Sequence, residues 1–183
     1  MRIRTAEPRD AGSLARVHVD SWRSTYAGIL PDGFLAGLSY GDRESFWDQV
    51  LTTARPTVSN FLAETESGEV VGLAAGGPER AGDETYRGEL YLVYLLEQYQ
   101  RKGLGRRLVS AVAQRLVVDG FDSMMLWVAR DNHPACRFYE ALGGEPVGSR
   151  TIDIAGTDVA EVSYGWLDVA DLVTDELGGQ PAG

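Results

Sequence analysis

A basic loop that contains two glycines, Gln100–Gly105, has the residue types and spacing of an anion site. It follows an apolar run, Gly88–Leu96, and precedes a segment in which apolar residues recur every four positions from Leu104 to Leu116. These patterns predict a strand, a loop and a helix. The first N–H groups of a helix lack partners and lie at the positive end of the helix dipole, where phosphate binds. The sequence therefore predicts a phosphate-binding loop, with Gly103 and Gly105 either leaving room for the phosphate or only allowing close packing.

The charge distribution favours a local anion site on an acidic protein. Residues 97–115 hold five basic residues and one acidic residue, whereas the chain of 183 residues carries 27 Asp+Glu and 17 Lys+Arg, for a net charge of −10. The loop lacks the Gly-x-Gly-x-x-Gly and Gly-Lys-Ser/Thr fingerprints of nucleotide-binding loops. A net negative charge argues against non-specific binding to nucleic acid or to an anionic membrane. We therefore expect an anionic cofactor at the loop and a cationic substrate elsewhere.

Residue counts exclude several classes of protein. Cys136 is the only cysteine, so no internal disulfide can form, and His18 and His133 are too isolated to bind a metal. The N-terminus has no signal-peptide pattern, and the longest uninterrupted apolar run, Leu90–Leu96, is far shorter than the ~18 residues of a membrane span. We expect a cytoplasmic protein with no metal, no nucleic-acid partner and no membrane partner.

Hydrophobic periodicity predicts one α/β domain over residues 1–168, followed by an acidic and then glycine-rich tail, 169–183, that is partly disordered. Strands are predicted at 1–6, 60–65, 69–76, 88–96, 123–129, 147–154 and 159–166, and helices at 11–27, 34–38, 42–53, 135–142 and from the basic loop to about 118. Strand 88–96 is apolar on both faces, which indicates a central, doubly covered strand. Phe46 and Trp47 are expected in the core.

Two motifs in the second half of the chain resemble a known family. Leu92–Leu95, the loop Gln100–Gly105 and the helix after it resemble the acetyl-coenzyme A motif of the GNAT superfamily of N-acetyltransferases, in which Arg/Gln-x-x-Gly-x-Gly/Ala follows a strand. Asp131–Gly144 resembles the Asn-x-x-Ala-x-x-x-Tyr-x-x-x-Gly-Phe helix of the same superfamily. The chain departs from these patterns twice, since Gly144 stands where Phe is usual and Leu96–Tyr99 contains no proline. The order of the predicted elements agrees with the family.

The resemblance implies an α/β GNAT fold that binds acetyl-coenzyme A as cosubstrate. The sheet would be mixed, mostly antiparallel, flanked by helices and splayed between Glu89–Leu96 and Ser123–Ala129, with the cosubstrate in the gap. The family's central strand bulges and leaves main-chain N–H groups free for the acetyl group and the pantetheine arm. Cosubstrate contacts are thereby implied for Val93, Tyr94, Leu95, Gln100, Arg101, Lys102, Gly103, Leu104, Gly105, Arg106 and Asn132. Asn132 also has the type and position of a helix N-cap.

Acetyl transfer to an amine needs a base for the amine and a donor for the departing thiolate. By the resemblance, Glu89 is the general base, and Tyr139 donates a proton or a hydrogen bond to the thiolate. The alternatives from the residues alone are that Glu89 is exposed at a strand edge or paired with Arg87, and that Tyr139 is a core aromatic beside Phe138. Both alternatives stay open at this point.

The acceptor is expected to be a small, cationic primary amine. Trp22–Pro31 loosely resembles a bacterial subgroup that includes polyamine acetyltransferases, and Trp22 and Tyr26 are candidates for the amine pocket, although aromatic residues at helical spacing usually belong to the core. Other readings are a non-catalytic acyl-coenzyme A-binding module or sensor and a protein N-acetyltransferase. The last strands could also pair across a homodimer.

Overall fold

A single seven-stranded sheet organises the chain in the computed structural model, which describes residues 1–53 and 55–174. The strands are β1 (Arg2–Thr5), β2 (Ser59–Glu64), β3 (Val70–Pro78), β4 (Gly88–Leu95), β5 (Met124–Ala129), β6 (Glu145–Ile154) and β7 (Thr157–Trp166). The α-helices are α1 (Ala11–Thr25), α2 (Asp32–Ala36), α3 (Tyr40–Thr52), α4 (Leu104–Val118) and α5 (His133–Ala141). The strand order is β1-β2-β3-β4-β5-β7-β6.

The sheet splits between its two central strands. β4 and β5 are parallel and pair only at Gly88 with Met124 and at Glu89 with Met125, whereas every other neighbouring pair of strands is antiparallel. Beyond Glu89 the strands diverge and leave a gap. Tyr91 of β4 has no partner in the β3–β4 register, which marks a bulge where the strands begin to separate. The structure confirms the predicted mixed, mostly antiparallel, splayed sheet.

The helices cover opposite faces of the sheet. On one face, which we call the back, α4 packs so closely on β3 that a Cβ atom at Gly76 would collide with Val112. On the other face, which we call the front, the Tyr94 ring lies 5.0 Å from the ring of His18 on α1. Side chains alternate between faces along a strand, so Glu89, which pairs with Gly77, projects to the front.

Two expectations about burial need correction. Trp47 is 2% exposed as predicted, but the prediction of a core position for Phe46 was wrong, because this side chain is 42% exposed. Adjacent helical residues point about 100° apart, so the narrow buried stripe of α3 takes only one of them. The prediction that strand 88–96 is covered on both faces holds only for its first residues. Gly88–Leu90 are buried, whereas the later residues of β4 are partly exposed because they border the gap.

The packed part of the chain continues beyond the predicted domain end at residue 168. Val169–Leu172 forms a short 3-10 helix whose Val169 and Leu172 are 1% and 5% exposed. The Thr174 N–H then donates to Ser110 Oγ on α4 at 2.8 Å. The remainder of the predicted tail, 175–183, lies outside the described residues. No helix in the described parts of the chain is long and apolar enough to cross a membrane.

Candidate functional site at the gap between β4 and β5

The basic loop presents a row of unpaired backbone donors at the start of α4. Among the described residues, the N–H groups of Arg101 through Arg106 have no hydrogen-bond partner, and the first bonded amide after them is that of Arg107, which donates to Gly103 O at 3.2 Å. Arg101 and Gly103 have φ angles of 57° and 80°, in the left-handed region. Consecutive N–H groups in such a turn, at a helix N-terminus, form an anion site.

The side chains of the loop anchor it and carry its charge. Gln100 Nε2 donates to Leu95 O at 3.1 Å, which ties the loop to the end of β4. Lys102 Nζ lies 5.3 Å above the Tyr99 ring, and Arg106 Nη2 approaches Ala141 O at 3.4 Å. The exposed cations therefore surround the unpaired N–H groups without occupying them.

The two loop glycines have different roles. A Cβ atom at Gly103 would meet nothing within 4 Å, so this residue is required by its positive φ rather than by space. A Cβ atom at Gly105 would lie 3.2 Å from Phe138, so Gly105 allows α5 to pack against α4. Of the two roles that the sequence left open, close packing therefore applies to Gly105.

The main chain of β4 offers donors to the gap at alternate residues. The Leu96 N–H donates to Val71 O on β3, and hydrogen-bonded pairs alternate along an antiparallel ladder. Val93 and Leu95 therefore direct their N–H groups away from β3 and towards the gap, whereas the N–H of Tyr94 is directed towards β3. The bulge lies at Tyr91, earlier than the predicted 93–95 segment.

Glu89 is buried and ion-paired at the point where β4 and β5 diverge. It is 3% exposed, and Arg80 donates to both carboxylate oxygens, through Nη2 to Oε1 at 2.5 Å and through Nε to Oε2 at 2.9 Å. The partner is thus Arg80 of the β3–β4 loop and not Arg87, which lies over Phe121. The alternative of an exposed strand-edge carboxylate was wrong.

Tyr139 lies on α5 with a buried ring and an unbonded hydroxyl. Its ring is 5.2 Å from Phe138 and 6.1 Å from Tyr164, and the residue is 7% exposed. Among the described residues its hydroxyl has no hydrogen-bond partner. Burial raises the pKa of Tyr139 above its ordinary value, and the Tyr26 hydroxyl acts in the same direction. Tyr139 therefore keeps its proton at neutral pH and can donate a hydrogen bond.

Asn132 is the N-cap of α5. Its Oδ1 accepts from the Ala135 N–H at 3.3 Å, which is the capping role that its position suggested. Cys136, one turn into the same helix, is buried, and burial raises the pKa of its thiol. The cap uses only the oxygen of Asn132, so its amide nitrogen can still donate to a ligand.

An aromatic cluster covers the front of the gap. The rings of Trp22 and Tyr26 on and after α1 are 4.8 Å apart, and both side chains are half-buried against the apolar cluster that joins α2 to β7. Burial raises the pKa of Tyr26, and the negative charge of Glu161 on β7 acts in the same direction. The side chain of Tyr94 joins this cluster through His18, whose ring also lies 5.9 Å from that of Trp22.

The remaining features lie away from the gap. A surface cavity of about 270 Å³ is lined by Val50, Pro56 and Arg115 among others, and by none of the predicted site residues. Within 1–53 and 55–174, no three His, Cys, Asp or Glu side chains are grouped so as to hold a metal ion.

Comparisons with known proteins identify similar chains. The model of the family described as Acetyltransferase (GNAT) family matches residues 20–144. A Bacillus subtilis protein named "Uncharacterized N-acetyltransferase YuaI" is 42% identical over 94% of this chain and 96% of its own. A Mycobacterium tuberculosis protein named "Probable N-acetyltransferase Rv2775" is 31% identical over 90% of this chain and 92% of its own. YncA of Salmonella typhimurium, solved with its cofactor acetyl-CoA, superposes with a TM-score of 0.67 at 23% identity, covering 92% of this chain and 94% of that one.

Proposed function

Because the chain belongs to the acetyltransferase (GNAT) family, we propose that it transfers an acetyl group from acetyl-CoA directly to the primary amine of a small, cationic acceptor. The observation that carries the proposal is the line of unpaired donors that begins at Val93 and Leu95 in the gap and continues through the loop N–H groups of 101–106. A chain of main-chain donors that ends at a helix N-terminus fits an elongated ligand with a pyrophosphate at one end.

The residues present fit the pyrophosphate, the pantetheine arm and the acetyl group of acetyl-CoA. The loop N–H groups would hold the pyrophosphate, with Arg101, Lys102 and Arg106 adding charge around it. The N–H groups of Val93 and Leu95 would hold the pantetheine arm and the acetyl carbonyl, and the amide nitrogen of Asn132 would donate to the arm. Acetyl-CoA supplies an activated thioester, and the chain supplies position and proton handling.

The reaction requires one group that takes a proton from the amine and one that donates to the departing thiolate. The ammonium group of the amine substrate gives one proton to Glu89, directly or through water, and the nitrogen lone pair then forms the C–N bond. As the C–S bond breaks, its electron pair goes to sulfur, which also receives the second nitrogen proton. Since a thiol has an ordinary pKa of about 8.5 and burial raises the pKa of Tyr139, the tyrosine stabilises the thiolate as a hydrogen-bond donor rather than by losing its proton.

The preference for a cationic acceptor is proposed from the net charge of the chain and from the aromatic cluster at the front of the gap. The net charge is −10, and the basic residues around the loop serve the anionic cosubstrate. Trp22 and Tyr26 form an aromatic pair with ring centroids 4.8 Å apart on the front of the sheet, and aromatic rings attract ammonium groups.

The proposal is tested by incubating the protein and acetyl-CoA with primary amines of one size that are cationic, neutral or anionic. Thiol release and mass spectrometry of the acetylated amine report turnover, and initial rates at varied concentrations of both substrates give intersecting lines for direct transfer. We expect the cationic amines to be preferred. Binding of acetyl-CoA without acetylation of any amine would instead indicate a non-catalytic binding module.

Glu89→Gln tests the base, with Glu64→Gln as a matched control. Glu64 on β2 is also a carboxylate paired with an arginine, at 2.9 Å from Arg4 Nε, but β2 lies two strands away from β4, next to the edge strand β1. We expect Glu89→Gln to lose turnover by about 100-fold and to keep acetyl-CoA affinity, and Glu64→Gln to keep both. Full turnover in Glu89→Gln would remove Glu89 from the mechanism.

A further inference from the structure

The β3–β4 loop holds Glu89 in a more elaborate way than a surface ion pair requires. The Glu89 side chain is 4% exposed while that of Arg80 is 61% exposed, so the arginine covers the carboxylate from the solvent side. Besides its two guanidinium contacts, Arg80 donates its backbone N–H to Glu89 Oε2 at 3.2 Å. One residue thus supplies three donors to a buried carboxylate.

The position of Arg80 is itself fixed by its neighbours. Its guanidinium lies 4.2 Å above the ring of Tyr91, the bulge residue of β4, whose hydroxyl donates to Pro78 O at 2.7 Å. The adjacent Glu79 carboxylate accepts the N–H groups of three successive loop residues, Ala81, Gly82 and Asp83, at 2.6–2.8 Å. The loop is therefore ordered around the arginine before any ligand binds.

We propose that Arg80 is the positioning residue for Glu89, which it pairs with and orients on the front of the sheet where β4 and β5 diverge. The inference rests on the proposed function, in which Glu89 is the base. A carboxylate buried beside Met125 without a partner would favour its neutral form, and a neutral carboxyl group cannot accept a proton from an amine. The bidentate contact of Arg80 offsets that cost.

The contacts also leave Glu89 able to act. Each carboxylate oxygen has two lone pairs, and Oε1 receives only one donor among the described residues, so one lone pair there remains for the proton of the amine or of a bridging water. The other charged or titratable groups near this pair are Glu79 on the same loop, Tyr91 on β4 and Arg55 before β2. Arg80 is the one that contacts Glu89.

The test is the pH profile of kcat/KM for acetyl transfer in Arg80→Met. Removing the positive charge while the carboxylate stays buried favours the protonated form, so the acidic limb should move to higher pH by about one unit or more, with activity recovering as the pH rises. A purely structural role would lower kcat/KM equally at all pH values. Acetyl-CoA affinity should be unchanged, and Arg80→Lys, which keeps the charge, should restore most of the limb.

Arg4→Met is the matched control. Arg4 on the edge strand β1, away from the gap, also makes a bidentate contact with a buried carboxylate, through Nη1 to Asp10 Oδ2 at 2.7 Å and through Nη2 to Asp10 Oδ1 at 2.8 Å. Its acidic limb should coincide with that of the parent. A limb that moves equally in both variants would mean a general loss of positive charge and would overturn the inference.

The outcomes separate this inference from the proposed function. No turnover by the parent, or turnover in Glu89→Gln with the parent's acidic limb, overturns the role of Glu89 and with it that of Arg80. If the acidic limb of the pH profile is lost in Glu89→Gln but does not move in Arg80→Met and Arg80→Lys, only the inference about Arg80 is overturned. If Arg80→Met does not fold, Arg80→Gln carries the same test.

Discussion

Two neighbouring tyrosines should respond in opposite ways to the loss of their hydroxyl groups. Tyr139 and Tyr164 have rings 6.1 Å apart and are 7% and 3% exposed, so Phe fits equally well at either position. The Tyr164 hydroxyl donates to Glu140 Oε1 at 2.8 Å, whereas that of Tyr139 has no partner among the described residues. The structure therefore assigns a stabilising hydrogen bond to Tyr164 and leaves the hydroxyl of Tyr139 for the thiolate.

The magnitudes follow from these contacts. Tyr164→Phe loses a hydrogen bond to a partly exposed carboxylate, which costs about 1 kcal/mol of unfolding free energy and lowers Tm by about 2–4 °C in a chain of this size. Tyr139→Phe loses no protein hydrogen bond, so its unfolding free energy should stay within about 0.5 kcal/mol of the parent. Losing one donor to a developing charge lowers kcat by about 100-fold.

The assays are thermal unfolding monitored by circular dichroism, calorimetric titration with acetyl-CoA, and initial rates with the best amine. We expect Tyr139→Phe to be stable, to bind acetyl-CoA and to be slow, and Tyr164→Phe to be less stable but as fast as the parent. Parent-like kcat in Tyr139→Phe would show that the hydroxyl does not serve the thiolate and would leave Tyr139 as a core aromatic.

Three further predictions concern the loop, the core and a buried histidine. Gly103→Ala and Gly120→Ala, at the two ends of α4, each place Ala at a φ near +80° with open space around it, and each should lower the unfolding free energy by about 1–2 kcal/mol. Only Gly103→Ala should weaken acetyl-CoA binding, by roughly tenfold, and equal dissociation constants for the two variants would contradict the proposed site. Urea unfolding should show that Trp47→Ala costs about 3–5 kcal/mol and Phe46→Ala less than about 1 kcal/mol. Burial and the charge of Arg43 lower the pKa of His18 to about 3, so the unfolded state binds a proton that the folded state excludes. Stability should therefore fall as the pH drops from about 6.5 to about 3, by up to about 1.4 kcal/mol per pH unit, and His18→Gln should flatten the dependence measured by urea unfolding.

The elements of the second half of the chain could be predicted because their signals are local. The period of four from Leu104 to Leu116 and the glycine at 103 indicate the loop and α4, and Gly103 can adopt its positive φ because it has no Cβ atom. Asn132 was recognisable as a cap for the same reason. The mixed sheet followed from the order of these elements together with the family resemblance.

What the sequence could not show depends on non-local geometry. Arg80 contacts Glu89 only because the β3–β4 loop folds back over the strand, and the arginine nearer in sequence, Arg87, projects elsewhere. The bulge at Tyr91 depends on the register with β3, and the exposure of Phe46 depends on how α3 rolls onto its neighbours. A signal was available for Arg80, since a buried carboxylate on a central strand requires a cation in reach.

Calorimetric titration with acetyl-CoA, with desulfo-coenzyme A as a control that lacks the thiol, tests directly the proposal that the 101–106 loop binds the cosubstrate. We expect saturable binding at one site per chain for both ligands, lost or weakened in Gly103→Ala and unchanged in Gly120→Ala. Absence of binding at millimolar ligand would contradict this proposal, because the unpaired N–H groups of 101–106 would then be only the start of a helix, and the acetyl-transfer mechanism would lose its cosubstrate.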